Sequence, residues 1–207
     1  MRTYGWNTLR LMLGVMSILM IGCNQPQTES TVQPQTESTV SDPNSSAAID
    51  LVEAGKAAIA RGDYRKAAKI IRILAERQDI RGGPIQVYAA FNIGKMYLEG
   101  EGVPQDYVEA EKWIRKAAEQ HLSIAQYELA QMYNEGRGVP KDYVQAHKWS
   151  NLAAASSDNT IRTTASALRS RISGEMTAAK IAEAQNLARE WKRKCWDGSV
   201  APEGQMC

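Results

Sequence analysis

The stretch GEGVPQDYVEAEKW, residues Gly100–Trp113, returns as GRGVPKDYVQAHKW at Gly136–Trp149, with ten of fourteen positions unchanged. Flanking pairs keep the same offset of 36 residues, from Met96-Tyr97 to Met132-Tyr133 and from Ala117-Ala118 to Ala153-Ala154. A constant offset over this length indicates a tandem repeat. Periods of this size are typical of solenoids, in which each repeat is one supersecondary unit and stacked neighbours bury a common core.

Each copy contains the signals of two helices and of the turn between them. In the first copy, Pro84 is expected to open the first helix and Gly100 to end it. The second helix is expected to start at Asp106. Capping boxes, in which a short polar residue is followed three positions later by Glu or Gln, are predicted at three helix starts: Asp106 with Glu109, Asp142 with Gln145, and Ser123 with Gln126.

Degenerate helical hairpins are predicted on both sides of the two copies. On the N-terminal side, Gly62 stops one alanine-rich helix and Asp63 caps the next. On the C-terminal side, Thr177 is expected to cap the second of two helices with apolar stripes: Ile161, Ala165, Leu168 and Ile172, then Ile181, Ala184, Leu187, Ala188 and Trp191. Four hairpins satisfy the requirement of about three units for a stable array.

The motif A-x-Y-x-L-A-x-M-Y-x-x-G-x-G-V-x-x-D-Y-x-x-A-x-K-W-x-x-x-A-A, between Ala125 and Ala154, resembles a Sel1-like repeat, a branch of the tetratricopeptide-like helical repeats. The resemblance implies an all-α, right-handed superhelical solenoid of helical hairpins after a disordered tether. The expected units are a degenerate tetratricopeptide-like hairpin at 47–79, repeats at 84–120 and 121–156, a C-terminal capping hairpin at 159–194 and a cysteine-containing tail at 195–207.

The first residues, MRTYGWNTLRLMLGVMSILMIGC, combine a basic start with an apolar core at Leu11–Ile21. This core suits a secretory signal and is short for a membrane span, although an uncleaved membrane anchor is the alternative. The ending LMIGC resembles the lipobox of bacterial lipoproteins, with Met20 where that family usually has Leu. The resemblance implies a signal peptide at 1–22 and a lipid anchor on Cys23. By the same resemblance, Asn24 favours the periplasmic face of the outer membrane over the inner membrane.

A polar segment follows Cys23, in which QPQTESTV is written twice from Gln25 to Val40. Its composition predicts a disordered linker, so residues 23–46 are expected to form a lipidated tether. Removing Arg2 and Arg10 with the signal leaves 23 basic side chains against 23 acidic ones. The remaining chain has no basic excess that would predict binding of nucleic acid.

The cysteines and histidines predict no metal or cofactor site. Cys195 and Cys207 remain once Cys23 is lipidated, and an even pair in an oxidising compartment predicts a disulfide. Two free thiols on a frayed tail are the alternative. His147 occupies the position that Glu111 holds one repeat earlier, so both it and His121 are predicted to be solvated residues without a ligand role.

Enzyme signatures are absent from the sequence: it contains no G-x-S-x-G, H-E-x-x-H, phosphate loop or G-x-G-x-x-G. Ser157–Asn159 reads SDN, which echoes penicillin-recognising enzymes, but the S-x-x-K and K-T-G partners are missing. Trp113 and Trp149 recur with the period, and a role as core plugs between hairpins is preferred over ligand binding. The sequence therefore predicts a protein that is not an enzyme.

Positions that vary between repeats are free to serve a partner. The resemblance places the first helix of each hairpin on the concave side, and its positions outside the repeat motif are Asn92, Lys95, Glu99, Glu128, Gln131 and Glu135. Their mixed charge suits a peptide or another protein of the cell envelope, whereas a merely solvated face is the alternative. The predicted function is a membrane-anchored interaction module. A cell-wall hydrolase or penicillin-binding protein of unfamiliar chemistry and a structural spacer are the alternatives.

Overall fold

The computed structural model describes residues 43–77 and 83–196, and within this part all regular structure is helical. Eight helices follow one another: α1 Pro43–Ala60, α2 Tyr64–Glu76, α3 Pro84–Glu99, α4 Tyr107–Glu119, α5 Ser123–Glu135, α6 Tyr143–Ala153, α7 Asn159–Gly174 and α8 Ala178–Trp196. These residues contain no strand, which confirms the predicted all-α class.

The start of the folded part lies earlier than the sequence predicted. Helix α1 begins at Pro43, so the last four residues assigned to the tether are helical. Proline is well tolerated in a first helical turn, because its missing amide has no partner there in any case. The predictions for the signal peptide, for Cys23 and for the Cys195–Cys207 disulfide lie on or depend on residues outside those that the structure describes.

Stacked helical hairpins form the array. From α1 to α7, each helix packs against the next one along the chain. Alanine makes this approach possible at one equivalent position of α2, α4 and α6, where Ala67, Ala110 and Ala146 are fully buried. The C-terminal end is arranged differently, since α7 and α8 both pack against α6. Helix α6 is therefore covered from two sides, and the core extends to the end of the array.

The turn between the two helices of each repeat contains two glycines in the left-handed backbone region. Gly100 and Gly136, with φ of 74°, end α3 and α5 as predicted. Gly102 and Gly138 have φ of 72° and 73° and lie against the preceding hairpin. A methyl group on Gly138 would overlap the carbonyl oxygen of Tyr107, at the start of α4. These second glycines therefore let the backbones of neighbouring hairpins approach closely.

The capping interactions predicted at the helix starts are confirmed only in part. Asp106 accepts hydrogen bonds from the amides of Val108 and Glu109, and Asp142 caps α6 in the same way. The reciprocal half of the predicted capping boxes is wrong. The amide of Asp106 donates to the carbonyl of Tyr97 at 2.9 Å, and not to the side chain of Glu109. The chain that returns from the glycine turn is thus bonded to the end of the preceding helix.

The capping box predicted at Ser123 with Gln126 is also wrong. Ser123 is already helical, and Leu122 before it makes no side-chain cap. Gln126 is buried and donates from Nε2 to the carbonyl of Ala118 at 3.2 Å. Gln86 in α3 does the same for the carbonyl of Ala75 at 3.3 Å. Each buried glutamine therefore donates to a carbonyl at the C-terminal end of the preceding helix and links the two helices.

Trp149 lies in the core at the C-terminal end of the array, as predicted. Only 1% of its surface is exposed. Trp191 of α8 packs its ring against that of Trp149, with centroids 5.9 Å apart in an edge-on arrangement. The other side of Trp191 lies near His121, whose ring centroid is 4.5 Å away. His121 is exposed and lies in the turn between α4 and α5. These aromatic contacts hold α8 on the second repeat.

His147 is buried with 2% of its surface exposed, so the prediction of a solvated residue is wrong. Its Nδ1 atom has no hydrogen-bond partner among the described residues. Burial lowers the pKa of His147, and the positive charge of Arg169 lowers it further. The imidazole therefore favours its neutral form in the folded protein.

The surroundings of His147 are a changed version of a contact in the first repeat. There, Arg115 of α4 pairs with Glu111 and donates from Nη2 to the hydroxyl of Tyr133 in α5, at 2.6 Å. One repeat later, the three equivalent positions hold His147, Asn151 and Arg169. Arg169 of α7 donates to Asn151 at 2.7 Å. The cation at this junction therefore lies on α7, whereas at the previous junction it lies on α4. The neutral His147 takes the place of the carboxylate of Glu111.

Replacing Gly138 with alanine is expected to destabilise the protein more than the same change at Gly62. Both glycines have φ near +74°, which costs alanine about 1–2 kcal/mol. Only Gly138 has backbone atoms in the space that the methyl would fill, which adds roughly 1–3 kcal/mol. Equilibrium unfolding in urea measures both changes. Equal losses for Gly138→Ala and Gly62→Ala would show that the close approach to Tyr107 contributes nothing.

The lowered pKa of His147 predicts that the protein loses stability in mild acid. Because the unfolded chain binds a proton at roughly pH 6.5 and the folded chain only at lower pH, stability is complete above that value and falls below it. Melting temperatures measured from about pH 8 to pH 5 should fall less in His147→Gln than in the unaltered chain. Parallel curves for the two proteins would show that His147 protonates equally well in the folded state.

Candidate functional site

The six residues predicted to bind a partner lie on two helices of adjacent repeats. Helix α3 contributes the first three and α5 the second three: Asn92, Lys95 and Glu99, then Glu128, Gln131 and Glu135. We call the surface made by these six residues the first-helix face. The structure brings only some of them together.

Lys95, Glu99 and Glu128 form a charged cluster that joins the two repeats. The ammonium group of Lys95 lies 3.0 Å from a carboxylate oxygen of Glu99 and 3.3 Å from one of Glu128. Only 12% of the Lys95 side chain and 15% of the Glu128 side chain are exposed. Lys95 is therefore engaged by its own chain, and a partner that bound it would have to displace a carboxylate.

The electrostatics of this cluster are dominated by its carboxylates. Burial alone lowers the pKa of Lys95, but the charges and hydrogen bonds of Glu128 and Glu99 outweigh burial, and the pKa is raised. Glu101 in the following turn belongs to the same cluster, since burial and the charge of Glu99 raise its pKa while Lys95 opposes them. Two carboxylates thus contact one ammonium group, which stays charged.

Asn92, Gln131 and Glu135 are more accessible to a partner. Gln131 uses its amide Nε2 to donate to the hydroxyl of Tyr127 at 3.0 Å, which leaves its carbonyl oxygen to accept a hydrogen bond. Glu135 lies 2.8 Å from Arg137, with 45% of its side chain exposed. Asn92 is half-buried and makes no hydrogen bond with its side chain among the described residues. These three residues offer both donors and acceptors.

Sequence reasoning missed Glu101 and Arg137 as parts of this face. They occupy the same position of the glycine turn in the two repeats, and their charges are opposite. In the first repeat, the charge of Glu99 at the end of α3 raises the pKa of Glu101. In the second repeat, Arg137 forms an ion pair with Glu135 at the end of α5. The change of charge at this repeat position is the signal by which the sequence could have identified them.

The described residues contain no cluster of side chains suited to a metal ion. Groups of three or more His, Cys, Asp or Glu side chains suited to a metal ion do not occur in residues 43–77 and 83–196. The SDN sequence has a structural role, because Asp158 accepts hydrogen bonds from the amides of Thr160 and Ile161 and caps α7. In the same described part, no helix is long and apolar enough to cross a membrane.

Comparisons with known proteins agree with this architecture. Residues 87–122 and 123–158 each match the family model described as Sel1 repeat. The structure is similar to that of a protective antigen present in uropathogenic Escherichia coli strains that displays an SLR fold, with 31% sequence identity and a TM-score of 0.60. That match covers 71% of this chain and 30% of the antigen. No curated protein sequence matches the chain significantly.

A Sel1 repeat protein from Oxalobacter formigenes is a second similar structure, with 30% identity and a TM-score of 0.49, over 68% of this chain and 55% of that one. On the evidence of the family match and the antigen, the chain carries two Sel1 repeats and has the helical solenoid fold of Sel1 repeat proteins. Sel1 repeats generally mediate interactions between proteins. This chain spans less than a third of the antigen, so the activity and partners of that whole protein are not carried over.

The charged cluster is expected to couple the two repeats energetically. In a double-mutant cycle of Lys95→Met and Glu128→Gln, the coupling measured by urea unfolding should be about 0.5–2 kcal/mol, because the pair is mostly buried. The control pair is Lys112 and Glu109 on α4, where the lysine side chain is 61% exposed and water screens the charges. Coupling that is no larger at Lys95 than in this control pair would contradict the expected role.

Proposed function

We propose that the chain is a non-enzymatic adaptor of the bacterial cell envelope, anchored by a lipid on Cys23, whose first-helix face binds a peptide segment of another envelope protein. The observation that carries the proposal is the arrangement of Asn92, Gln131 and Glu135. Polar side chains outside the repeat motif lie on the first helices of two adjacent Sel1 repeats, which the Lys95–Glu128 contact joins, whereas motif residues such as Trp149 are in the core. Polar residues that the fold does not use, on a repeated scaffold, are typical of a recognition surface.

The charged cluster and the accessible residues have separate roles in this proposal. Lys95 and Glu128 keep the two repeats in a fixed relation, so that the groups beside them are held in place before a partner arrives. Recognition then rests on hydrogen bonds from Asn92 and Gln131 and on the charge of Glu135. A buried aromatic anchor is not required, since Trp149 is occupied within the core.

The anchor assignment is supported by the sequence at Cys23 and by the polar segment that follows it. A lipid on Cys23 would leave about 20 residues before α1, which reach roughly 65–70 Å when extended. Such a tether allows the folded part to meet a partner that stands away from the membrane. The periplasmic face of the outer membrane is the proposed location, because Asn24 rather than Asp follows the cysteine.

The proposal is tested with a photo-crosslinking amino acid in place of Gln131, in bacterial cells that express the full chain and are fed a fatty-acid analogue. We expect one discrete protein adduct in the membrane fraction and label on the chain. With the crosslinker at position 92, the double variant Gln131→Lys and Glu135→Lys should form at least about tenfold less adduct than the otherwise unaltered chain with the crosslinker at the same position. The melting temperature should stay unchanged, because the substitutions change only the charge presented to the partner.

Matched controls separate the parts of the proposal. Glu109→Lys with Gln145→Lys makes the same residue changes on second helices and should leave the adduct intact. Cys23→Ser should abolish the label, and a wild-type chain without label would refute the lipid anchor alone. An adduct that forms equally well with the crosslinker at exposed Lys112 would refute recognition by the first-helix face.

A further inference from the structure

Helices α2 and α4 are equivalent elements of consecutive hairpins. Each has 13 residues, starts at a tyrosine after an aspartate cap, and buries alanine three positions further on. On the outer side of α4, Lys112 lies 2.5 Å from Glu109 and the two charges cancel. The equivalent positions of α2 are Lys69 and Lys66, so the ion pair is replaced by two cations.

These two lysines belong to a larger exposed surface. Arg65, Lys66, Lys69 and Ile73 are all exposed. They lie on one side of the helix, because Lys69 is four residues after Arg65, three after Lys66 and four before Ile73. We call this surface the α2 face. None of its three cations forms an ion pair with a described residue. The acids of α2 lie at its ends, where Asp63 caps the helix and Glu76 belongs to the last turn.

The apolar member of the α2 face is unusual in its exposure. Ile73 is 49% exposed, although every other isoleucine and leucine of α2 is buried. The equivalent residue in α4 is Lys116, whose ammonium group donates to the carbonyl of Ala75 and lies over the ring of Trp113. Where α4 has a lysine, α2 therefore has an exposed apolar side chain next to the unpaired cations.

We propose that the α2 face binds the surface of a membrane that contains anionic lipids. Arg65, Lys66 and Lys69 contact the phosphate groups, and Ile73 enters the boundary between headgroups and acyl chains. A helix side with Lys or Arg around an apolar residue has the composition of interfacial helices. Each cation near an anionic surface strengthens binding, and the effect declines within a Debye length.

An acidic protein is the other partner that such charges would fit. The exposed Ile73 favours the membrane, because charge pairing with acidic side chains requires no apolar residue beside the cations. The position of α2 in the chain favours it too. This helix belongs to the first hairpin after the segment that would tether the chain at Cys23, and this part of the choice rests on the proposed function.

The proposal is tested by sedimentation of the chain from residue 24 onward with vesicles, so that neither the apolar segment Leu11–Ile21 nor an attached lipid contributes to binding. The vesicles consist of phosphatidylcholine with or without phosphatidylglycerol. Adding phosphatidylglycerol should strengthen binding of the parent chain. Lys66→Gln with Lys69→Gln should weaken binding to the anionic vesicles about 25-fold, at roughly fivefold for each cation, and leave binding to phosphatidylcholine unchanged.

A control variant with the same net charge localises the effect. Lys112→Gln with Lys141→Gln removes two exposed cations from outside the α2 face and should bind the anionic vesicles as the parent chain does. Equal losses in the two double variants would overturn the proposal, because they would reflect net charge alone. Both variants should melt at the temperature of the parent chain, since all four side chains are exposed.

Ile73→Gln separates a membrane from an acidic protein. The variant should bind the anionic vesicles several-fold more weakly than the parent chain, because it lacks the side chain that enters the interface. Unchanged binding in this variant would overturn the assignment to a membrane and point to an acidic protein. The first-helix face is unaltered in every variant, so failure here leaves its partner capture intact and remains distinguishable from failure of the proposed function.

Discussion

The backbone contact between each glycine turn and the preceding hairpin is the constraint on which the array depends. Gly138 lies so close to the first residue of α4 that no side chain fits between them, and Gly102 lies in the same way against Tyr64. Both glycines also hold a left-handed backbone that other residues adopt only at a cost. This contact sets the distance between hairpins, and the buried alanines of α2 and α4 fill the space that it leaves.

Polar contacts between repeats follow from that fixed distance, and their chemistry differs from one junction to the next. Between the first and second repeat, Arg115 reaches across to Tyr133, whereas at the next junction Arg169 reaches back to Asn151. A cation can lie on either helix of the junction as long as the opposite side supplies an acceptor. The neutral form of His147 is consistent with this exchange, because Arg169 would repel a second positive charge.

The two surfaces that we assign to binding differ in whether their cationic side chains form ion pairs within the chain. On the first-helix face, Lys95 is held by Glu99 and Glu128, so its charge stabilises the junction of the repeats. On the α2 face, Lys66 and Lys69 have no carboxylate between them, and their charge is available to an external surface. The same helical scaffold thus presents one surface whose lysine is paired with carboxylates and another whose lysines are not, and only the ion pairs in the structure distinguish them.

The sequence by itself determined the repeat, the helices, the glycine turns and the aspartate caps. These features depend on contacts within a few residues, so Gly100 and Asp106 carry their own signals. Contacts between helices were decided by the tertiary structure. Nothing in the sequence indicated that His147 is buried, or that Gln126 bonds the preceding helix rather than closing a capping box. The pairing of Lys95 with Glu128 was equally hidden, since a side chain 33 residues away becomes a neighbour only when the hairpins stack.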